Sequence, residues 1–255
     1  MSPTPERAVV KVARFDPARA FPPDDKLTVP LLRLMIATDD ARGASILLAM
    51  ADEQMRQTSG AEQALHGGRM WYLFRMLCAH LNEAGNALNT LVNSVPDARL
   101  RGLLKARPTA TEALARLRSG LGEGTYVRKV RDSVGAHYRQ ADVERVYRAD
   151  LAAGRVDGSL IASEVGGLSR FTMTDVLAVR MMDEAAGAAT HEQFSDRGRE
   201  VMDLAQDLAT FVGYLASALA AGSGIEATAE TVEVPPLLRA ARDRWEREPS
   251  DDVAG

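Results

Sequence analysis

Cysteine is nearly missing from this chain. Cys78 is the single one among 255 residues, so no intramolecular disulfide can form. It stands between Leu77 and Ala79 in an apolar run, where a thiol is core filler more readily than nucleophile. Aromatics are scarce too, at 5%. The interior must then be filled by Leu, Ala, Val and the 10 Met, the palette of packed helices rather than of a β-sandwich. No apolar stretch reaches the roughly 20 residues that span a bilayer. The longest, Leu208 to Ala221, is interrupted by Thr210, Gly213, Tyr214 and Ser217. The opening Met1-Ser2-Pro3-Thr4-Pro5-Glu6-Arg7 has no apolar segment behind a basic start, so no secretory signal is expected. The expected location is the cytoplasm, with no membrane partner.

Histidine is limited to His66, His80, His137 and His191, which makes elimination possible. A di-metal helical site needs Glu-x-x-His on two helices, and the chain has no such spacing. The His-Glu-x-x-His zinc pattern is absent, as are a glycine-rich loop ending in Lys-Ser/Thr and a Gly-x-Ser-x-Gly elbow. Neither a metal nor another cofactor is therefore expected. His66 precedes Gly67-Gly68 without a partner in sequence. His191 follows Thr190 at a helix start, where capping or a surface role is the default. His80 has Glu83 one turn on.

What is present is an ordinary globular balance, 46% hydrophobic and 26% charged, enough for one large or two small cores. Net charge is −4, but its distribution is uneven. Between Arg99 and Arg148 twelve basic residues (Arg99, Arg101, Lys105, Arg107, Arg116, Arg118, Arg128, Lys129, Arg131, Arg139, Arg145, Arg148) face five acidic ones (Glu112, Glu123, Asp132, Asp142, Glu144). That stretch carries +7 and the remainder −11. It reads either as a surface for phosphates or as arginines scattered over helix exteriors.

Periodicity points to a mainly all-α fold, a helical bundle with a small β-hairpin. Residues 1–26 hold five prolines and no period, and read as an N-terminal arm. Leu31, Leu34, Met35, Ala41, Ala44, Ile46, Leu47 and Met50 recur at helical spacing to about Met55, before Gly60, Gly67 and Gly68 break the pattern. Met70, Phe74, Leu77, Leu81, Ala84, Leu88, Leu91 and Val95 then form a seam that requires burial, ended by Pro96. Beside it runs Asn82, Asn86, Asn89 and Asn93, a stripe either solvent-exposed or lining a polar pocket. Short helices are expected at 97–106 and 109–119, the latter entered through Pro108 and stopped by Gly120 and Gly122. Helices at 125–140 and 141–153 follow, the second closing on Gly154. A hairpin with a Gly166-Gly167 turn is expected at about 157–174, then helices at 175–187 and 191–221. The tail, 222–255, includes a candidate strand at 228–234 and a short helix at 237–245.

One stretch reads as chemistry: Arg131-Asp132-Ser133-Val134-Gly135-Ala136-His137. On a helix Ser133 and His137 share a face, and Arg131 lies about 120° from His137. Arg131 offers a planar, permanently charged fork to a phosphate. His137 can move a proton near neutral pH, and Asp132 can orient the imidazole or accept from a ribose 2′-hydroxyl. Metal-free RNA cleavage needs such a set. The plainer alternative is a capped, salt-bridged helix surface.

Val130 to Tyr138, "VRDSVGAHY", resembles the motif of the HEPN superfamily: an Arg, a polar residue and, farther along a helix, a His. Arg69 to Ala84 is similar to the long helix that precedes the motif helix in several such families. The resemblance implies a HEPN-like helical domain over 27–221, with the hairpin as an insert. It implies a homodimer that brings two motif helices together into a composite site. It further implies a metal-independent ribonuclease, a hydrolase acting as a toxin or in antiviral defence, restrained by an antitoxin or other partner protein. Arg131, Asp132 and His137 would be catalytic. Ser133, Tyr138, Arg128, Lys129 and Asn82 would bind RNA, with the basic stretch guiding it by phosphate contacts. The alternative is a non-catalytic HEPN-like dimer, an interaction or regulatory module.

Overall fold

Two long antiparallel helices carry the core, and the remaining elements pack around them. The computed structural model describes residues 7–132, 140–155, 160–161, 170–187, 191–221, 226–234 and 236. Strand β1 (Arg7–Arg14) is followed by α1 (Pro17–Ala20), α2 (Thr28–Gln57), α3 (Gly60–Ser94), α4 (Asp97–Leu104) and α5 (Pro108–Gly120). Then come α6 (Tyr126–Val130), α7 (Gln140–Ala152), β2 (Leu160–Ile161), β3 (Arg170–Phe171), α8 (Thr172–Ala186), α9 (His191–Ala220) and β4 (Glu226–Glu233). The fold is mainly α-helical.

At 1.5 Å per residue α2 and α3 run about 45 and 52 Å. The seam on α3 is buried: Leu77, Leu81, Ala84 and Leu91 have no exposed surface, and Phe74, Leu88 and Val95 very little. It meets Leu31, Leu34, Ala41 and Leu48 of α2 in one continuous core. Each such Leu contributes roughly 1.5–3 kcal/mol of burial, so this hairpin supplies much of the driving force. Helix α9 lies across α2 and α5, while α6 and α8 pack on the other part of α3. Leu208, Phe211 and Leu215 complete the core from α9.

The ends of the helices follow local chemistry. Pro108 opens α5 at a position whose N–H would be unpaired in any case. Val95 and Pro96 close α3. Gly154 and Gly187 take φ of +66° and +65° just past α7 and α8, a conformation costly for a residue with a Cβ.

Three expectations need correction. The α3 helix does not begin after Gly67-Gly68 but runs through them from Gly60. The reason is packing: a Cβ on Gly67 would lie 3.4 Å from Met55 Sδ, and Gly68 is buried. Packing of this turn against α2, at ordinary contact distance, outweighs the weak helix propensity of glycine. Second, α8 starts at Thr172, so the hairpin ends sooner than 174; its described pairs are Leu160 with Phe171 and Ile161 with Arg170. Its Gly166-Gly167 turn lies outside the described residues. Third, the proline-rich arm contains β1, which pairs antiparallel with β4 from Arg7–Glu233 to Arg14–Glu226. The strand expected at 228–234 is this β4; the helix expected at 237–245 lies outside the described residues.

Candidate functional site

Helix α6 is a single short turn and a half, held by its apolar side. Tyr126, Val127 and Val130 are buried against α3 and α8, which leaves Arg128, Lys129 and Arg131 at the surface. Arg131 and Asp132 continue the chain in a widened, π-type turn, a geometry frequent at functional positions. Arg131 Nη1 donates to Asp132 Oδ1 at 2.8 Å, and the two side chains are 39% and 38% exposed. The pairing engages one of the five N–H donors of the guanidinium, so the fork retains donors for an anion. Ser133, His137 and Tyr138 lie outside the described residues.

The other expected binding residues divide. Arg128 reaches Glu123 at 3.4 Å. Lys129 is exposed and has no ion-pair partner among the described residues. It stands between two adjoining clefts. One, of about 310 Å³, is lined with Asp142, Arg145, Met181, Glu184 and Ala185. The other, of about 260 Å³, reaches Thr125, Tyr126, Arg197 and Glu200. Asn82 is buried on α3, whereas Asn86, Asn89 and Asn93 are exposed. The asparagine stripe is therefore solvent-facing for most of its length and enters the interior only at Asn82.

The basic stretch is far less positive in space than in sequence. Seven of its twelve cations hold a carboxylate: Arg99–Asp25, Arg101–Asp97, Arg116–Asp207, Arg128–Glu123, Arg131–Asp132, Arg145–Glu184 and Arg148–Glu144. Four of those acids, Asp25, Asp97, Asp207 and Glu184, come from outside the stretch. Arg107 lies over the Tyr214 ring, 5.3 Å from its centroid. Several pairs are structural ties. Arg116 forks onto Asp207 at 2.8 and 2.7 Å, fastening α5 to α9. Arg99 forks onto Asp25 at 2.8 and 2.5 Å, and this hydrogen bonding holds the Asp25 carboxyl down at about 2.

Two groups beside the site left no sequence signal. Asp150 is 3% exposed near the end of α7. It accepts from Arg155 Nε and Nη2 at 2.9 and 2.7 Å, and Arg180 Nε of α8 stands 3.6 Å away. Tyr126 is 7% exposed, with a hydroxyl that finds no hydrogen-bond partner among the described residues. Burial pushes its ionisation well above the usual phenol range. Only the packing of α6 against Phe74 and Cys78 of α3 makes that position interior. Cys78 itself is fully buried, and desolvation raises its thiol likewise, so it is core filler. His66 is buried on α3, with Nε2 3.8 Å from Glu62; His80 Nδ1 is 3.6 Å from Asp40.

Among the described residues no cluster of three His, Cys, Asp or Glu side chains is placed to hold a metal ion. No described helix is long and apolar enough to cross a membrane. The fold and site thus define a mainly helical protein with an arginine–aspartate pair on a short, core-anchored helix. Compared with profiles of known families, with curated proteins and with solved structures, the chain matches none.

Proposed function

We propose that this chain is a metal-independent endoribonuclease of HEPN type, acting in the cytoplasm as a toxin or antiviral defence protein. The observation that carries the reading is the half-exposed Arg131–Asp132 pair, six residues before His137 and rooted through α6 in the core. His137 takes the proton of a ribose 2′-hydroxyl, and the 2′-oxygen attacks the adjacent phosphorus. Arg131 stabilises the crowded phosphorane charge, and the protonated His137 returns its proton to the departing 5′-oxygen. The products are a 2′,3′-cyclic phosphate and a 5′-hydroxyl. Asp132 positions the imidazole or the 2′-hydroxyl, and Ser133, Tyr138, Arg128 and Lys129 are second-tier contacts; Asn82, buried on α3, is too enclosed for that role. A dimer would complete the site, and an antitoxin or similar partner would restrain it.

A second reading is favoured by one observation: most of the basic stretch is already paired with carboxylates, which weakens its pull on RNA. On that reading the chain is a non-catalytic helical interaction module. The deciding experiment incubates RNA with purified protein in EDTA, wild type beside His137→Ala and Arg131→Ala. The nuclease reading expects cyclic-phosphate ends, with a rate loss of at least about 100-fold in His137→Ala. Intact RNA from a panel of substrates, with all three proteins folded, would move the conclusion to the interaction module.

A further inference from the structure

The outer face of α2 carries an apolar stripe that no described residue covers. Of nine large apolar side chains exposed among the described residues, five are on this helix: Val29, Leu32, Ile36, Ile46 and Leu47, with Ile36 64% and Val29 59% exposed. Their spacing continues through Gly43, where an added Cβ would meet nothing within 4 Å. Val29, Ile36 and Gly43 repeat every seven residues, and so do Leu32, Asp39 and Ile46. This is the seam of a two-helix coil, with a notch where Gly43 stands. The opposite face of the same helix is already buried by Leu31, Leu34, Ala41 and Leu48, so the stripe is surplus to the core.

We propose that α2 is the contact between two copies of this chain, packed antiparallel about a two-fold axis at the level of Ala37 and Thr38. The seam runs from Val29 to Ile46, and only an axis at its midpoint overlaps it fully with itself. In that register Val29 faces Ile46 of the second copy and Leu32 enters the notch at Gly43. The charges then agree. Arg33, exposed and without an ion-pair partner among the described residues, lies opposite Asp40 of the second copy, twice by symmetry. Among the described residues Asp40 has only a loose contact with His80, at 3.6 Å. A parallel pair would instead set Arg33, Asp39 and Asp40 each level with its own copy, whereas here Asp39 is level with Ile36 and about 4.5 Å along the axis from its copy. The stripe offers on the order of several hundred Å², short of the roughly 800 Å² per partner of a standard interface. The dimer is therefore expected to be concentration-dependent. It uses none of the motif residues and does not rest on the nuclease reading.

The test is sedimentation of the full chain over a wide concentration range. Wild type is expected to pass from monomer to dimer. Arg33→Glu should raise the dissociation constant at least about tenfold, and Arg33→Glu with Asp40→Lys should recover it, circular dichroism confirming the fold of each. The register is read by Leu32→Cys with Gly43→Cys, Cys78 being buried. The double variant should cross-link into dimers on oxidation. Leu32→Cys alone should not, because the two copies of position 32 stand about 16 Å apart along the axis. A chain that stays monomeric throughout, a dimer indifferent to Arg33→Glu, or equal cross-linking by the single variant would each overturn the proposal.

Discussion

The α2–α3 hairpin and the α6–α7–α8 side of the protein are built on different physics. The hairpin is joined chiefly by Leu and Ala at helical spacing along several turns. The other side has short helices, and much of its tie is ionic: Arg145 to Glu184, and Arg180 with Arg155 around Asp150. Apolar packing is insensitive to salt and pH, whereas exposed arginine–carboxylate pairs contribute little and are screened. A chain that puts its candidate chemistry on the ion-paired side can adjust it without disturbing the core. Arg131–Asp132 is itself one more such pair, and an anionic substrate would compete for the same guanidinium.

The comparison breaks most visibly at the hairpin. Leu81→Ala, at a fully buried position, should lower unfolding free energy by about 3 kcal/mol, within the 2–5 found for such truncations. Denaturant melts will show it, unchanged by added salt. Asp150→Ala should cost less, about 2 kcal/mol, because the arginines left behind are 49% and 40% exposed and regain water. Hydrogen exchange should rise in α7 and α8 while α2 and α3 stay protected. The smallest effect is expected at an ion pair outside both regions, between the chain leading into α2 and α4. Asp25 has a folded pKa of about 2 against an ordinary 3.8. Its stabilising effect is therefore complete above pH 4 and is lost as pH falls towards 2. Screening reduces it to about 1 kcal/mol. Asp25→Asn should remove that amount at pH 7 and flatten the acid limb of stability between pH 4 and 2.

Legibility followed the same divide. The seam from Phe74 to Val95, the stops at Pro96 and Gly154, and the span of α9 were all readable, because each depends on residues within a turn or two of one another. The start of α3 was not, since the packing of Gly67 on Met55 belongs to a different helix. At the site, Arg131 and Asp132 were named from spacing alone. Their mutual pairing joins sequence neighbours, whereas the neutralisation of the surrounding basic stretch by Asp25, Asp207 and Glu184 depends on acids far away in the chain.

The sequence by itself determined a helical fold with a Leu- and Ala-filled interior, a lone inert thiol and one heptapeptide of chemical interest. Local periodicity and composition are sufficient for each of these. Only the tertiary structure decided that β1 pairs with β4 across most of the chain, that Tyr126 and Asp150 are interior, and that α2 keeps an apolar face turned outward. Those outcomes depend on which distant surfaces meet, and burial and charge pairing are properties of the meeting rather than of either partner.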